Sequence, residues 1–422
     1  MLIEFSVTNF RSIKQTQTLK LTASPASELK DSNCFMTTDN TVPPLVRSAV
    51  LYGPNASGKS NLLSAVAFME RFVMNSSKES QEGESIKVKP FLFDNINHAK
   101  PSEFEVLFIQ DEVRYQYGFS VNRTRVVHEW LFAYPEGRAQ RWFERKYDSD
   151  AQKYVWYFGN KFKGNKIILQ ESTRSNALFL STAVQLNNEQ LKPVYNWFYY
   201  RLRPMGGDWI QPSFTIDMCK DKDKKDKILN FLNAADLSIA DIQVEMKKFD
   251  SKKIHPLIAD IFKEVTRDDL EGKEFPIVSL LHNIEGSSEL GKINLEDESD
   301  GTQRLFNLAG PWLDVLENGY ILLIDELDKS LHPLMVRFLI GLIQNKKINH
   351  SNAQLIFSTH DTSVLDNKIF RRDQIWFIEK DLHNSSILYP LSDFTPRKGE
   401  ALEKNYLQGR YGALPYIGDI CF

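Results

Sequence analysis

The sequence predicts an α/β protein with a mixed central sheet, an antiparallel β subdomain and an inserted helical lobe, and three observations carry that expectation. An apolar pentapeptide, Ser-Ala-Val-Leu-Tyr at 48–52, runs into a glycine-rich octapeptide and then into a stretch where Leu62, Val66, Met69 and Val73 recur at helical spacing. Further apolar strands, Tyr-Ile-Leu-Leu-Ile at 320–324 and Gln-Leu-Ile-Phe-Ser at 354–358, stand in the second half. Between the halves, from about 103 to 170, short alternating segments such as Glu-Phe-Glu-Val-Leu-Phe and Tyr-Val-Trp-Tyr-Phe read as antiparallel sheet.

The elements follow in order. Ile3, Phe5 and Val7 alternate with polar neighbours, as do Leu19 and Leu21, so the chain opens with two strands joined through residues 9–14. A helix follows the glycine-rich loop, and the polar run at 75–84 ends it in a loop. Residues 179–185, Phe-Leu-Ser-Thr-Ala-Val-Gln, read as the end of a strand, and 186–203 as an aromatic-rich helix stopping near Pro204, Gly206 and Gly207. The alternating Lys and Asp residues at 220–227 nearly cancel in charge and read as a solvated helix start. The expected divisions are residues 1–200, an inserted helical or mixed lobe at 205–285, and 286–422. Neither internal repeats nor sustained heptads are present, which excludes a long coiled-coil arm.

Bulk properties set the class. A length of 422 residues at 42% hydrophobic content allows a large core and two or three lobes. A net charge of −3 does not indicate a nucleic-acid protein, although local basic patches remain compatible with it. Cys34, Cys219 and Cys421 are scattered without metal-ligand spacing, which fits a reducing, cytoplasmic setting. The opening Met-Leu-Ile-Glu-Phe lacks the flanks of an export signal, and no apolar run is long enough to cross a bilayer, so no membrane association is expected.

The chemistry begins at Gly53, Pro54, Asn55, Ala56, Ser57, Gly58, Lys59 and Ser60, a match to the phosphate-binding loop of nucleotide-binding proteins. Glycines at its ends let backbone N–H groups curl around an anion, Lys59 reaches the terminal phosphates of ATP, and Ser60 offers its hydroxyl to Mg²⁺. The helix that carries Asn61 directs its positive end at the same phosphates. The strand at 320–324 ends in Asp325 and Glu326, a Walker B pattern in which Asp325 holds Mg²⁺ and Glu326 orients and deprotonates water. Taken alone, the pair also reads as a solvated acidic turn.

Three more stretches, Glu-Ser-Asp-Gly-Thr-Gln-Arg-Leu at 298–305, Leu-Asp-Lys-Ser-Leu-His-Pro at 327–333 and Gln-Leu-Ile-Phe-Ser-Thr-His at 354–360, complete a resemblance. In order and spacing the chain resembles an ABC-type ATPase head of the SMC, RecF and OLD kind. The resemblance implies that Ser299, Asp300, Gly301 and Gln303 form a signature closing over the nucleotide of a second subunit. It further implies that Asp328 lies in the loop meeting that subunit, that His360 contacts the γ-phosphate, and that dimerisation completes the site. Singly, His360 reads as a strand-end histidine and Gln303 as a helix residue. The signature departs from the usual form at Asp300 and Thr302, where a carboxylate near a triphosphate is electrostatically unfavourable. Gln185 resembles the glutamine of these ATPases that reaches Mg²⁺ or the lytic water, and equally reads as an exposed helix-start glutamine. Asn-Phe-Arg-Ser at 9–12 is similar to the opening of SMC and RecF heads, which makes Arg11 a nucleotide-contact candidate.

The ending, Leu-Ser-Asp-Phe-Thr-Pro-Arg-Lys at 391–398 and Tyr-Leu-Gln-Gly-Arg-Tyr-Gly-Ala-Leu-Pro at 406–415, resembles the bacterial RloA-like ATPases, related to those of the PARIS and AbiL systems. That resemblance implies an ATPase or sensor subunit in anti-phage defence, controlling a separate effector such as a TOPRIM-type or HNH nuclease and answering a phage-encoded trigger. Only 62 residues, 361 to 422, follow His360, too few for a fused nuclease domain of ordinary size. The alternative is a RecF-like DNA-repair clamp, which requires salt-sensitive DNA binding.

Overall fold

The computed structural model describes residues 1–79, 81–94, 100–205, 211–248, 274–397, 399–416 and 418. Gly206, Gly207, Lys398, Cys421 and the 249–273 part of the expected insertion lie outside the described residues. The chain falls into two compact units, Met1–Gly207 with Val315–Lys329 and Val336–Phe422, and Asp208–Asp314 with Ser330–Met335.

The strands, in chain order, begin with β1 (Leu2–Thr8), β2 (Gln17–Lys20), the short pair β3 (Cys34–Phe35) and β4 (Leu45–Val46), and β5 (Ser48–Tyr52). Next come β6 (Ser102–Gln110), β7 (Val113–Val121), β8 (Val126–Tyr134), β9 (Gln140–Asp148), β10 (Lys153–Phe158) and β11 (Leu202–Met205). The last are β12 (Asp241–Lys248), β13 (Glu274–Asn283), β14 (Leu290–Asn294), β15 (Ile321–Ile324), β16 (Gln354–Ser358), β17 (Ile375–Lys380) and β18 (Ser386–Pro390).

In the first unit a seven-stranded antiparallel sheet has the order β10-β9-β8-β7-β6-β1-β2, and a six-stranded mixed sheet the order β11-β15-β16-β5-β17-β18. Every pairing in the second sheet is parallel except β17 with β18. The difference is visible in the side chains. Strands β5, β15 and β16 are buried at every position, as parallel strands covered on both faces must be, whereas β6 alternates buried and accessible residues. The Lys59–Asn75 helix ties the sheets together. Its Phe68 and Phe72 pack on Phe104 and Phe119 of the antiparallel sheet at ring-centre distances of 5.0 and 5.4 Å. Leu62, Val66, Met69 and Val73 share one buried cluster with Leu51, Leu323 and Ile356 of the mixed sheet. Each such side chain contributes about 1.5–3 kcal/mol of burial.

Two local expectations fail. Residues 179–185 form a helix, Phe179–Gln185, not a strand end, because its first amides have a buried acceptor. The Glu129 carboxylate accepts hydrogen bonds from Phe179 N at 2.7 Å and Leu180 N at 3.0 Å. The aromatic segment is not one helix to Pro204: a Lys192–Asn196 helix and a π-helical turn, Trp197–Arg201, lead into β11, which contains Pro204. β11 is an edge strand, where a missing N–H is tolerated.

The second unit carries helices at Ser213–Met218 and Lys222–Ala234, the latter capped by the Asp221 side chain on Lys224 N at 3.0 Å. Beside the expected helices it contains the antiparallel sheet β12-β13-β14 and the start of a long helix, Asp300–Asn318.

Glu129 also accepts from Tyr117 Oη at 3.0 Å and from Arg145 Nε at 2.9 Å, and neither Glu129 nor Arg145 has any exposed surface. Removing one member leaves a buried uncompensated charge. Glu129→Ala is expected to cost about 3–5 kcal/mol in denaturant unfolding. Glu144→Ala, which breaks partly exposed pairs with His128 and Arg141, is expected to cost less than about 1 kcal/mol.

Candidate nucleotide site

The phosphate loop is shaped by what surrounds it. A Cβ on Gly53 would fall 2.1 Å from the carbonyl oxygen of Ile378 on β17, and one on Gly58 would fall 2.2 Å from Ser386 Oγ on β18. Gly58 also holds φ of 117°, a left-handed conformation open to glycine. A chain of hydroxyls supports the loop from beneath. Ser386 Oγ donates to Ser57 O at 2.5 Å and lies 2.7 Å from Ser12 Oγ, which accepts from Asn61 Nδ2 at 2.7 Å. Asn61 Oδ1 and Ser64 Oγ each receive Arg11 Nη1 at 3.3 Å, so Arg11, itself exposed, stands beside the first turns of the helix.

Lys59 is buried, and its ammonium donates to the carbonyls of Gly53 at 2.7 Å and Pro54 at 3.2 Å. Burial lowers its pKa below the ordinary lysine value, against the upward pull of Asp325, Glu326 and Asp328. Those three carboxylates come from the turn after β15, and β16 separates β15 from β5, so loop and acidic turn project from the same end of adjacent parallel strands. Ligands of open α/β sheets bind at that end.

Ser358, the last residue of β16, holds the Asp325 side chain and the Glu326 backbone in place. Its Oγ donates to Asp325 Oδ1 at 2.5 Å and accepts Glu326 N at 2.8 Å. Glu326 has φ of 52° and is exposed. His360 follows β16 with an exposed side chain, and its N–H donates to Asp328 Oδ2 at 3.2 Å. Ser57 Oγ in the loop and Asp328 Oδ1 in the acidic turn are among the buried polar atoms without a hydrogen-bond partner among the described residues. Such atoms suit a polar ligand in the loop.

Among the described residues there is no group of three His, Cys, Asp or Glu able to hold a metal. Mg²⁺ suits the site nonetheless, because it needs only one or two protein ligands when phosphates and water supply the rest. Asp325 and Ser60, with its exposed hydroxyl at the helix start, are of the right chemistry.

Gln185 is not brought to this site. Ser181 of its helix donates to Val73 O at 2.6 Å, near the far end of the Lys59–Asn75 helix. At 1.5 Å per residue that point is about 21 Å from Lys59 along the axis, and Gln185 stands about one turn beyond Ser181. The glutamine role drawn from its local sequence fails for this reason.

The signature segment lies in the second unit. Ser299 Oγ accepts Thr302 N at 3.2 Å just ahead of the Asp300–Asn318 helix, and Gln303 Nε2 donates to Glu298 O at 2.8 Å. Ser299 and Asp300 are exposed, and a carboxylate in a first helical turn is favoured by the helix dipole. A Cβ on Gly301 would stand 3.2 Å from Ser330 O of the same unit.

Ser386 carries no motif signal, Ser12 and Ser358 lie in motif stretches that give them no role of their own, and only the folded sheet shows that they support the loop and the acidic turn. Among the described residues no helix is long and apolar enough to cross a membrane.

No curated protein matches. Among solved structures, the chain is similar to an SMC head domain from Thermotoga maritima at 14% identity and a TM-score of 0.40, over 92% of this chain and 98% of that one. It is also similar to an SmcHead bound to the C-winged helix domain of ScpA, at 14% identity and a TM-score of 0.38, over 92% and 97%. A family model described as "AAA domain, putative AbiEii toxin, Type IV TA system" matches residues 48–183 and 230–366, segments that contain the phosphate loop, the acidic turn and His360. With more than half of its 422 residues matched, the chain belongs to that AAA family.

Proposed function

We propose that this chain is an ABC-type ATPase that binds and hydrolyses Mg-ATP. The observation that carries this reading is the meeting of Lys59, Asp325, Glu326, Asp328 and the His360 segment at one end of strands β5, β15 and β16. Backbone N–H groups of residues 53–60 and the Lys59 ammonium hold the triphosphate, and Ser60 and Asp325 would hold Mg²⁺, which would supply charge neutralisation to the phosphates. Glu326 receives the proton of the attacking water, and His360 donates to the γ-phosphate. Ser299 to Gln303 of a second copy complete the site in a closed dimer, with Asp300 turned away from the phosphates.

Membership in a family described by a toxin and a toxin–antitoxin system supports a regulatory role, and the closing sequence motifs support an RloA-like one. In this reading the chain is the ATPase or sensor subunit of an anti-phage defence pair, acting in the cytoplasm on a separate effector nuclease or toxin. Co-purification with the product of the neighbouring gene tests the pairing. A TOPRIM or HNH protein recovered in stable complex supports it, and a replication or repair operon without such a partner removes it.

Lys59→Ala is expected to weaken ATP binding about ten- to a hundredfold in equilibrium titration, the loss of a charge-assisted contact. Glu326→Gln is expected to keep ATP affinity and lose turnover by about 10²–10⁴ in a phosphate-release assay. The same variant with ATP is expected to sediment as a dimer, and Ser299→Arg in that background to return it to the monomer. Equal turnover by Glu326→Gln and the native chain would exclude Glu326 as the base.

A further inference from the structure

We propose that Glu403, in the C-terminal segment, is a positioning residue for His360: through Thr362 it holds the loop after β16 in the conformation that presents the histidine to nucleotide. The inference rests on the ATPase reading above and assigns a task to the closing motif, which that reading leaves without one.

The segment from His360 to Ser363 is tied to other elements at four points. His360 N donates to Asp328 Oδ2 at 3.2 Å, and Arg337 donates to Ser363 O. Tyr52 Oη, at the end of β5 next to the phosphate loop, donates to Asp361 O at 3.1 Å. Thr362 Oγ1 donates to Glu403 Oε1 at 2.8 Å. The first three come from the nucleotide-binding sheet and its covering helix. The fourth comes from the Leu402–Leu407 helix, far along the chain.

That helix is itself firmly seated. Tyr406 is buried with its ring 5.7 Å from that of Tyr52 and 5.4 Å from that of Phe377, and its hydroxyl donates to Ala413 O at 2.9 Å. Ala413 N donates to Glu379 Oε2 at 2.8 Å, and a Cβ on Gly412 would lie 2.9 Å from the same oxygen, so the motif fits tightly against β17. Glu400, at the base of the helix, accepts Asn405 Nδ2 at 2.7 Å, and its carbonyl accepts Asn367 Nδ2 at 3.0 Å. Glu403 therefore acts from a fixed platform.

Two side-chain atoms of the loop it holds lack partners. Asp361 Oδ1 accepts Ser363 N at 2.9 Å, but Asp361 Oδ2 and Ser363 Oγ are buried with no partner among the described residues. Unsatisfied buried groups make a segment costly to keep in one conformation, so the Thr362–Glu403 bond adds a needed tie to those that fix the His360 backbone.

The test uses the full chain with ATP and Mg²⁺, and hydrogen exchange of the His360, Asp361 and Ser363 amides. Glu403→Ala and Thr362→Val are each expected to lower kcat about tenfold with KM for ATP within about twofold, and to speed exchange of those amides about tenfold. Glu403→Gln and Thr362→Ser keep an acceptor and a donor and are expected to restore most of both; Lys404→Ala, exposed on the same helix, changes neither. Unchanged exchange in Glu403→Ala overturns the proposal, as does a rise in KM with kcat intact. If native turnover does not exceed that of Lys59→Ala, the ATPase reading falls, and the exchange result alone decides whether Glu403 holds the loop.

Discussion

The parallel pairing of β5 with β16, and of β16 with β15, is the constraint on which the site depends. The phosphate loop and the acidic turn belong to opposite halves of the chain, and only strands running in the same direction point both toward one place. Parallel strands require long crossover connections, and here the stretch between β5 and β15 holds strands β6 to β10 of the antiparallel sheet and most of the second unit. Full burial of the three strands fixes their register, since each side chain has a packed neighbour on either face.

Electrostatics follow from that placement. A buried ammonium is expensive unless it is paired, and Lys59 meets two carbonyls and the field of three carboxylates. Ser358 binds the Asp325 carboxylate and the Glu326 backbone N–H, and Glu326 keeps a left-handed backbone conformation. A single serine hydroxyl thus ties both acidic residues of the turn to the end of β16.

Much of this was legible in the sequence. The glycine loop, the apolar strands and the helical spacing of Leu62, Val66, Met69 and Val73 carry local signals that burial then obeys. The antiparallel region was legible from alternation for the same reason. What escaped depends on contacts between distant segments. The Phe179–Gln185 helix is capped by Glu129 from β8, and no residue near it announces the cap. Ser12, Ser358 and Ser386 are ordinary serines until three strands meet. Pro204 suggests a helix stop, but it is β11's position at the sheet edge that admits it to a strand. Gln185 misled because a short motif was read without knowing which end of the long helix it would face.

The enclosed Glu129–Arg145 pair has a bearing on how such a chain can diverge. Tyr117, Phe179, Leu180 and Ala177 all lean on the same two side chains, so neither position can drift independently of the other. Replacement by a neutral, well-packed couple is energetically permitted, yet any route through one substitution at a time crosses a stranded ion in the interior. Lineages that keep this sheet should therefore inherit the two positions as one hereditary unit, conserved or exchanged in step.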